Sequence, residues 1–137
     1  MGVKKPVSKL KKELDSWFSK YIRLRDATDM GVAQCFTCGK IDHYKKLQNG
    51  HFQSRRHHNT RWDEKNCQVQ CVKCNIYSSG EQYKFGMYLD AKYGLGTSEE
   101  LEILSKQPFK ISRIDYVNYI SYYKDLVNKI KKEKSIE

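Results

Sequence analysis

The sequence predicts a small α+β domain in which a zinc-stabilised core lies between helical segments. Four of its cysteines form two Cys-x-x-Cys pairs, Cys35/Cys38 and Cys71/Cys74. At this spacing four thiolates can surround one zinc ion. Apolar side chains recur at helical intervals on both sides of the cysteine pairs. We therefore expect a single domain over 1–137, with an N-terminal helix in 7–28, the zinc core in 33–80 and a helical part in 81–134.

The first expected element is an amphipathic helix over residues 7–27. Its apolar residues recur at alternating steps of four and three, which places them on one face of a helix. These residues are Leu10, Leu14, Trp17, Tyr21 and Leu24. Such a face is typical of core packing, and the basic residues on the opposite face are free to contact phosphate.

The central third of the chain favours short strands and a loop. Extended segments are expected in 33–53, with a strand from Leu47 to Phe52 that carries His51 near its end. Residues 54–65 are polar and basic and have no clear period, so they are predicted to form a loop. A loop of this length in a small domain is usually functional or mobile.

Helices are expected again in the C-terminal half. The predicted stretches are a run that begins at Asn75 and stops near Ser78-Ser79-Gly80, then Glu81–Tyr93, Thr97–Lys106 and Arg113–Lys132. Thr97 and Glu100 have the spacing of a capping box, and Ser112 is the expected cap of the last helix. The apolar stripe of that last helix is Val117, Ile120, Tyr123, Val127 and Ile130.

The charge balance indicates a polyanionic partner. The chain has 26 Lys and Arg against 16 Asp and Glu, a formal net charge of +10. Positive residues are concentrated at both ends and in the middle, whereas the stretch from Glu81 to Glu102 is net acidic. A solvated lysine-rich surface is the alternative, but this segregation favours salt-dependent binding to nucleic acid.

Cysteine usage and hydropathy predict a reduced compartment. The five cysteines are an odd number, the mean hydropathy is −0.81, and we find no apolar leader or membrane-length apolar run. We therefore expect zinc-bound thiolates rather than disulfides, in a cytoplasmic protein with no membrane association.

Two polar residues beside the cysteine pairs suit phosphodiester hydrolysis. A neutral imidazole can take a proton from water, and an amide oxygen suits a hard divalent cation such as Mg²⁺. His51 fits the base, and Asn75 directly follows a zinc-ligand candidate and offers the oxygen. The alternatives are a structural histidine at His51 and a simple helix cap at Asn75.

The order and spacing of these motifs resemble the His-Me finger (HNH) nucleases and, more closely, the NinG/Rap recombination proteins of lambdoid phages. The resemblance covers about residues 10–130. The segments that carry it are Cys35-Phe36-Thr37-Cys38-Gly39, Gly50-His51-Phe52-Gln53-Ser54, Arg61-Trp62-Asp63, Asn66, Gln70-Cys71-Val72-Lys73-Cys74-Asn75 and Ser79-Gly80.

This resemblance implies a ββα-metal, treble-clef-like core and a structure-selective endonuclease that cuts branched DNA such as Holliday junctions, in the host cytoplasm if phage-encoded. It assigns catalytic positions to His51, as general base, and to Asn66, as the residue that fixes the loop and orients the histidine. It also places a catalytic Mg²⁺ or Mn²⁺ at Asn75 and a structural zinc ion at the four paired cysteines, Cys35, Cys38, Cys71 and Cys74.

One position departs from the family pattern. Many members have Asp directly before the histidine as a second metal ligand, and Gly50 stands there in this chain. Either Asn75 and water hold the cation, or another side chain reaches in. The candidates for that second role are His57, His58, Asp63 and Glu64.

The expected DNA contacts lie around the same site. The candidate residues are Arg55, Arg56, His57, His58, Arg61 and Lys73. Because resolution of a branch needs paired cuts, a homodimer is expected, joined through the terminal helices. Two other functions remain open from the sequence: a non-catalytic zinc module that binds nucleic acid, and an HNH enzyme that cuts ordinary duplex.

Overall fold

The computed structural model describes residues 4–137, and its N-terminal helix forms one side of the main core. Helix α1 spans Val7–Arg25, so it begins where predicted and ends two residues early. Its fully buried residues follow steps of four before the last turn: Leu10, Leu14, Phe18, Ile22 and Leu24. The predicted stripe was therefore partly wrong, because Trp17 and Tyr21 are only half-buried at its edge.

Two antiparallel hairpins form the β structure. Strands β1, Val32–Gln34, and β2, Ile41–His43, pair with each other, and the first cysteine pair lies in the turn that connects them. Strands β3, Gln48–His51, and β4, Cys67–Gln70, pair so that His51 lies opposite Cys67. The backbone N–H of Phe36 donates to the carbonyl of Val69 at 2.8 Å, which joins the two hairpins.

The connection between β3 and β4 is not the uniform loop that was predicted. It contains one helical turn, α2, at His58–Arg61. Buried Thr60 lies in this turn, and its hydroxyl donates to the carbonyl of His57 at 3.2 Å. Four residues are too few to produce a period in the sequence, so tertiary packing rather than local pattern defines this turn.

The C-terminal half contains a π-helical turn at Lys73–Tyr77 and three helices, α3 at Gln82–Tyr93, α4 at Thr97–Ser105 and α5 at Arg113–Lys134. The π-helical turn begins two residues before the predicted start at Asn75. The predicted capping box of α4 was wrong, because Gly96 occupies the cap position. The carboxylate of Asp90 instead accepts the N–H and the hydroxyl of Ser98, at 2.8 and 3.0 Å.

Helices α1 and α5 pack against each other and bury the largest apolar cluster. The ring of Phe18 meets the edge of Tyr123 with centroids 4.8 Å apart, and Cys67 of β4 belongs to the same cluster. On α5, Tyr116 and Tyr123 are buried, whereas Tyr119 and Tyr122 are exposed. Among residues 4–137, no helix combines the length and the apolar character that crossing a bilayer requires.

The N-terminus of α5 has the predicted cap at Ser112. Its hydroxyl accepts the N–H of Asp115 at 3.3 Å, and the Asp115 carboxylate accepts the N–H of Ser112 at 3.0 Å, which completes a capping box. We expect Ser112→Ala to lower the free energy of unfolding by about 1 kcal/mol in urea denaturation. Ser121→Ala, at an exposed position within α5, is the control. Equal losses in the two variants would show that the cap contributes nothing.

Candidate functional site

The four paired cysteines converge on one point between the two hairpins. Their sulfur atoms all lie within 4.8 Å of one another, and the Sγ atoms of Cys38 and Cys71 are 3.6 Å apart. Tetrahedral zinc with Zn–S bonds of about 2.3 Å places its sulfurs about 3.8 Å apart. The cluster therefore fits a structural metal ion, as predicted for Cys35, Cys38, Cys71 and Cys74.

The fifth cysteine has a different environment. Cys67 is completely buried among the side chains of α1 and α5, and burial raises the pKa of its thiol well above the usual value. By contrast, the pKa of Cys35 falls to about 6: burial opposes this shift, but hydrogen bonds from the backbones of Cys71 and Cys38 outweigh it. Within the cluster a thiolate is thus favoured at Cys35, whereas burial raises the pKa of the Cys38 and Cys74 thiols, and at Cys67 a thiolate is disfavoured.

His51 lies at the end of β3 with one ring nitrogen already engaged. Its Nε2 is 3.0 Å from the carbonyl oxygen of Arg61. A carbonyl can only accept, so Nε2 carries the proton and the neutral ring keeps its lone pair on Nδ1. This tautomer presents Nδ1 as the atom that can accept a proton.

Burial lowers the pKa of His51 to about 4, and the nearby charge of Arg55 acts in the same direction. We expect NMR titration of the DNA-free protein to place this pKa near 4 rather than near the ordinary value of about 6.5. Between those values the unfolded chain binds the proton and the folded chain does not. Stability is therefore expected to fall as the pH drops from about 6.5 towards 4. A measured pKa near 6.5 would contradict the buried environment.

Asn75 lies in the π-helical turn directly after Cys74. Its Nδ2 donates to Oε1 of Gln48 at 2.8 Å, which directs the amide and leaves Oδ1 as its ligand-capable atom. His51 and Asn75 both line a cleft of about 430 Å³ and an adjoining cleft of about 510 Å³, and Arg55 lines both as well. The structure therefore brings the predicted base and the predicted cation ligand to common surfaces.

Gly50 is required by packing rather than by backbone conformation. A Cβ atom built at this position would lie 1.9 Å from Oε1 of Gln70. The Gln70 side chain is held in place because its Nε2 donates to the hydroxyl of Thr37 and the carbonyl of Gly80, at 3.0 and 2.9 Å. No ligating side chain fits before His51 without displacing this amide.

We expect Gly50→Ala to destabilise the protein by about 1–3 kcal/mol, because the added methyl group must displace the buried Gln70 amide. The measurement is chemical denaturation of both single variants and of the double variant with Gln70→Ala. In the Gln70→Ala background, Gly50→Ala should reduce the free energy of unfolding by clearly less, because the Gln70 side chain no longer occupies the space beside Gly50. Additive effects would show that Gln70 is not the obstacle.

Asn66 connects the two ends of the segment between β3 and β4. It is fully buried; its Oδ1 accepts the N–H of Gln53 at 2.7 Å, and its Nδ2 donates to the carbonyls of Gln53 and Thr60, at 3.1 and 2.9 Å. Its effect on His51 is thus indirect, because it holds the segment whose Arg61 carbonyl contacts the ring.

The four residues considered as additional cation ligands lie elsewhere. Asp63 accepts the N–H groups of Lys65 and Asn66, and Glu64 accepts the hydroxyls of Tyr21 and Tyr123. His58 stacks on Phe109, and His57 precedes α2. Within residues 4–137, neither cleft that contains Asn75 is lined by any of these four candidates.

Asp15 of α1 is a site residue that the sequence analysis missed. It lines the 430 Å³ cleft with His51 and Asn75, and its carboxylate binds the side chains of Arg61, Arg55 and Trp62. Burial opposes ionisation, yet the pKa of Asp15 is lowered because Arg61 and Arg55 stabilise the charge. The sequence offered only one weak signal, an acidic residue within a basic helix.

The residues predicted to contact DNA differ in exposure and in the contacts that their side chains make. Arg55 is exposed at the cleft, and Arg56 and Lys73 are exposed as well. The guanidinium of Arg61 is instead held by Asp15, and His58 lies against aromatic rings. Arg55 is therefore the exposed predicted contact that lines both clefts together with His51 and Asn75.

Together these features define a small α+β protein with a four-cysteine cluster suited to zinc, beside a polar cleft that holds an imidazole and a carboxamide. A family model described as "Bacteriophage Lambda NinG protein" matches residues 2–133. The chain belongs to this NinG family, which confirms that part of the sequence resemblance. Comparisons with curated proteins and with solved structures gave no match.

Proposed function

We propose that this protein is a metal-dependent endonuclease of the His-Me finger type that hydrolyses phosphodiester bonds in branched DNA such as Holliday junctions. The observation that carries the proposal is the shared cleft: His51 presents an open Nδ1 there, and Asn75 lines the same surface. The order of β3, connecting segment, β4 and helical turn supports a ββα-metal arrangement around them.

In the proposed reaction, Nδ1 of His51 takes a proton from the attacking water. The lowered pKa of His51 keeps the ring neutral near pH 7, so Nδ1 carries no proton and can accept one. Oδ1 of Asn75 is the proposed protein ligand for the cation, with water completing the coordination. Bound Mg²⁺ or Mn²⁺ would supply charge stabilisation at the phosphate and the leaving oxygen.

Positive charge around the cleft supports a nucleic-acid substrate. The exposed side chain of Arg55 lines both clefts, and the whole chain has a net charge of +10. We propose that this residue contacts a phosphate beside the scissile bond, and that binding weakens steeply with salt. The proposed setting is the host cytoplasm.

We also propose that a homodimer acts on each branch, because resolution requires two cuts. The exposed faces of α1 and α5 are the proposed contact. Sedimentation of the protein with and without a four-way junction tests this. A single copy per junction at concentrations that support paired cutting would contradict it.

Cleavage of matched substrates tests the proposal directly. Wild-type protein is incubated with a four-way junction, a flap and a plain duplex, each with Mg²⁺, with Mn²⁺ or with chelator. We expect metal-dependent cutting of the branched substrates above that of duplex. Equal cutting of all three would indicate a general HNH nuclease, and binding without cutting would indicate a non-catalytic zinc module.

Substitution of Asn75 tests the proposed cation ligand within the same assay. Asn75→Ala should raise the Mg²⁺ concentration needed for half-maximal cleavage while leaving junction binding in chelator unchanged. The control is Gln107→Ala, which removes an exposed amide between α4 and α5, outside both clefts. An unchanged metal requirement in Asn75→Ala would remove this residue from the cation site.

A further inference from the structure

We infer that Asp15 of α1 is a positioning residue that fixes the tautomer of His51 by holding Arg61. This inference rests on the proposed nuclease function, since it concerns the atom that acts as base. It assigns a role in the site to the N-terminal helix, which lies outside the cysteine-bounded core.

The contacts of Asp15 are dense and shielded from water. Its Oδ1 accepts Nε of Arg61 at 3.1 Å and Nε1 of Trp62 at 2.9 Å. Its Oδ2 accepts Nη2 of Arg61 and, at 2.9 Å, Nη2 of Arg55. The side chains of Asp15 and Arg61 are only 20% and 15% exposed. A two-point guanidinium–carboxylate pair of this kind defines geometry as well as charge.

A single residue connects this ion pair to the imidazole. The side chain of Arg61 binds Asp15, and its backbone carbonyl accepts Nε2–H of His51 at 3.0 Å. Because the side chain is anchored to α1, the carbonyl is held at a fixed position beside the ring. If the anchor is lost, a partly buried guanidinium is left unpaired, and the segment that carries it must rearrange.

The contacts of Asp15 indicate an indirect role rather than metal ligation. Both of its oxygens are already engaged by Arg61 and Trp62, so ligation would require breaking the pair. Arg55 differs, because its side chain is 60% exposed and it makes one hydrogen bond to Oδ2. Arg55 can therefore leave for a DNA phosphate while Arg61 remains on Asp15.

The sign of the charge separates a positioning role from an effect of Asp15 on DNA binding. The carboxylate of Asp15 lines a cleft that is proposed to receive a polyanion, so its negative charge opposes binding. Removing that charge should leave junction binding unchanged or tighter. A positioning role predicts that turnover nevertheless falls, by about tenfold to a hundredfold.

The test is ¹⁵N NMR of the His51 ring in the DNA-free protein, with Asp15→Asn compared with wild type. We expect wild type to show the Nε2–H tautomer and the variant to show a mixture. Glu13→Gln is the matched control, because it removes one carboxylate from the same helix at a residue paired only with exposed Lys5 within the described chain. This control should keep the wild-type tautomer of His51.

An unchanged His51 tautomer in folded Asp15→Asn would overturn the inference. If that variant does not fold, Arg61→Lys is measured instead, since it keeps the charge but removes the two-point contact. The same shift towards mixed tautomers is expected there, and its absence would overturn the inference equally. The tautomer is read without DNA, so a protein that cuts no junction would refute the proposed function and leave this measurement standing.

Discussion

Replacement of Cys71 by Ser is expected to unfold the core rather than merely stop turnover. Cys35 and Cys38 belong to the first hairpin, whereas Cys71 and Cys74 follow the second, so a metal ion bound by all four would cross-link the two hairpins. Structural zinc contributes about 10–16 kcal/mol of apparent binding free energy, which is comparable to the whole stability of a small domain. The apolar cluster around the cysteines is too small to replace it, since it consists of Ala27, Ala33, Leu47, Val69 and three of the cysteines.

Far-UV circular dichroism and zinc content are the measurements, and strong chelation of wild type should reproduce the effect of Cys71→Ser. Cys67→Ser is the matched control, because that thiol is buried but lies outside the cluster and donates to the carbonyl of Arg61. We expect the control to stay folded and to retain its zinc. Retained structure after complete removal of the metal would contradict a structural role.

His51→Ala is expected to reduce junction cleavage by about 10²–10⁴-fold, the usual contribution of a positioned general base. Junction affinity should remain close to wild type, because His51 carries no charge near neutral pH and Arg55 is retained. Single-turnover cleavage and equilibrium binding, measured on the same four-way junction, separate the two effects.

His43→Ala controls for the loss of an imidazole away from the cleft. Its Nδ1 accepts only the N–H of Lys45 within the described residues, so the variant should cleave at close to the wild-type rate. If wild type and His51→Ala both bind the junction and neither cleaves it, the non-catalytic zinc module is favoured. Equal, measurable cleavage by the two proteins would instead remove His51 as the general base.

Local motifs explain the features that the sequence predicted well. The cysteine cluster depends on short spacings, and the cap of α5 depends on Ser112 and the residue three positions later. The strand that ends near His51 was expected at Leu47–Phe52 and is found at Gln48–His51. The cap and the strand are each encoded within a few adjacent residues, and each cysteine pair is as well, although the two pairs are 33 positions apart.

Features that depend on distant contacts were missed or misassigned. On α1 both Trp17 and Phe18 suit an apolar face, and only the position of α5 decides that Phe18 is the buried one. The capping box predicted at the start of α4 is not formed. The backbone N–H of Ser98 is bound instead by the carboxylate of Asp90, in the preceding helix. Asp15 could not be recognised, because its partner Arg61 lies 46 positions along the chain.

The placement of α1 limits how far the cysteine-bounded segment can be treated as a transferable module. A fragment of residues 33–80 would keep every candidate zinc ligand, His51 and Asn75, yet it would lack the helix that anchors Arg61 and covers Cys67. Excision or grafting of the motif alone would therefore yield a metal-binding peptide without an ordered imidazole. We therefore expect any minimal functional unit of this protein to include its N-terminal helix.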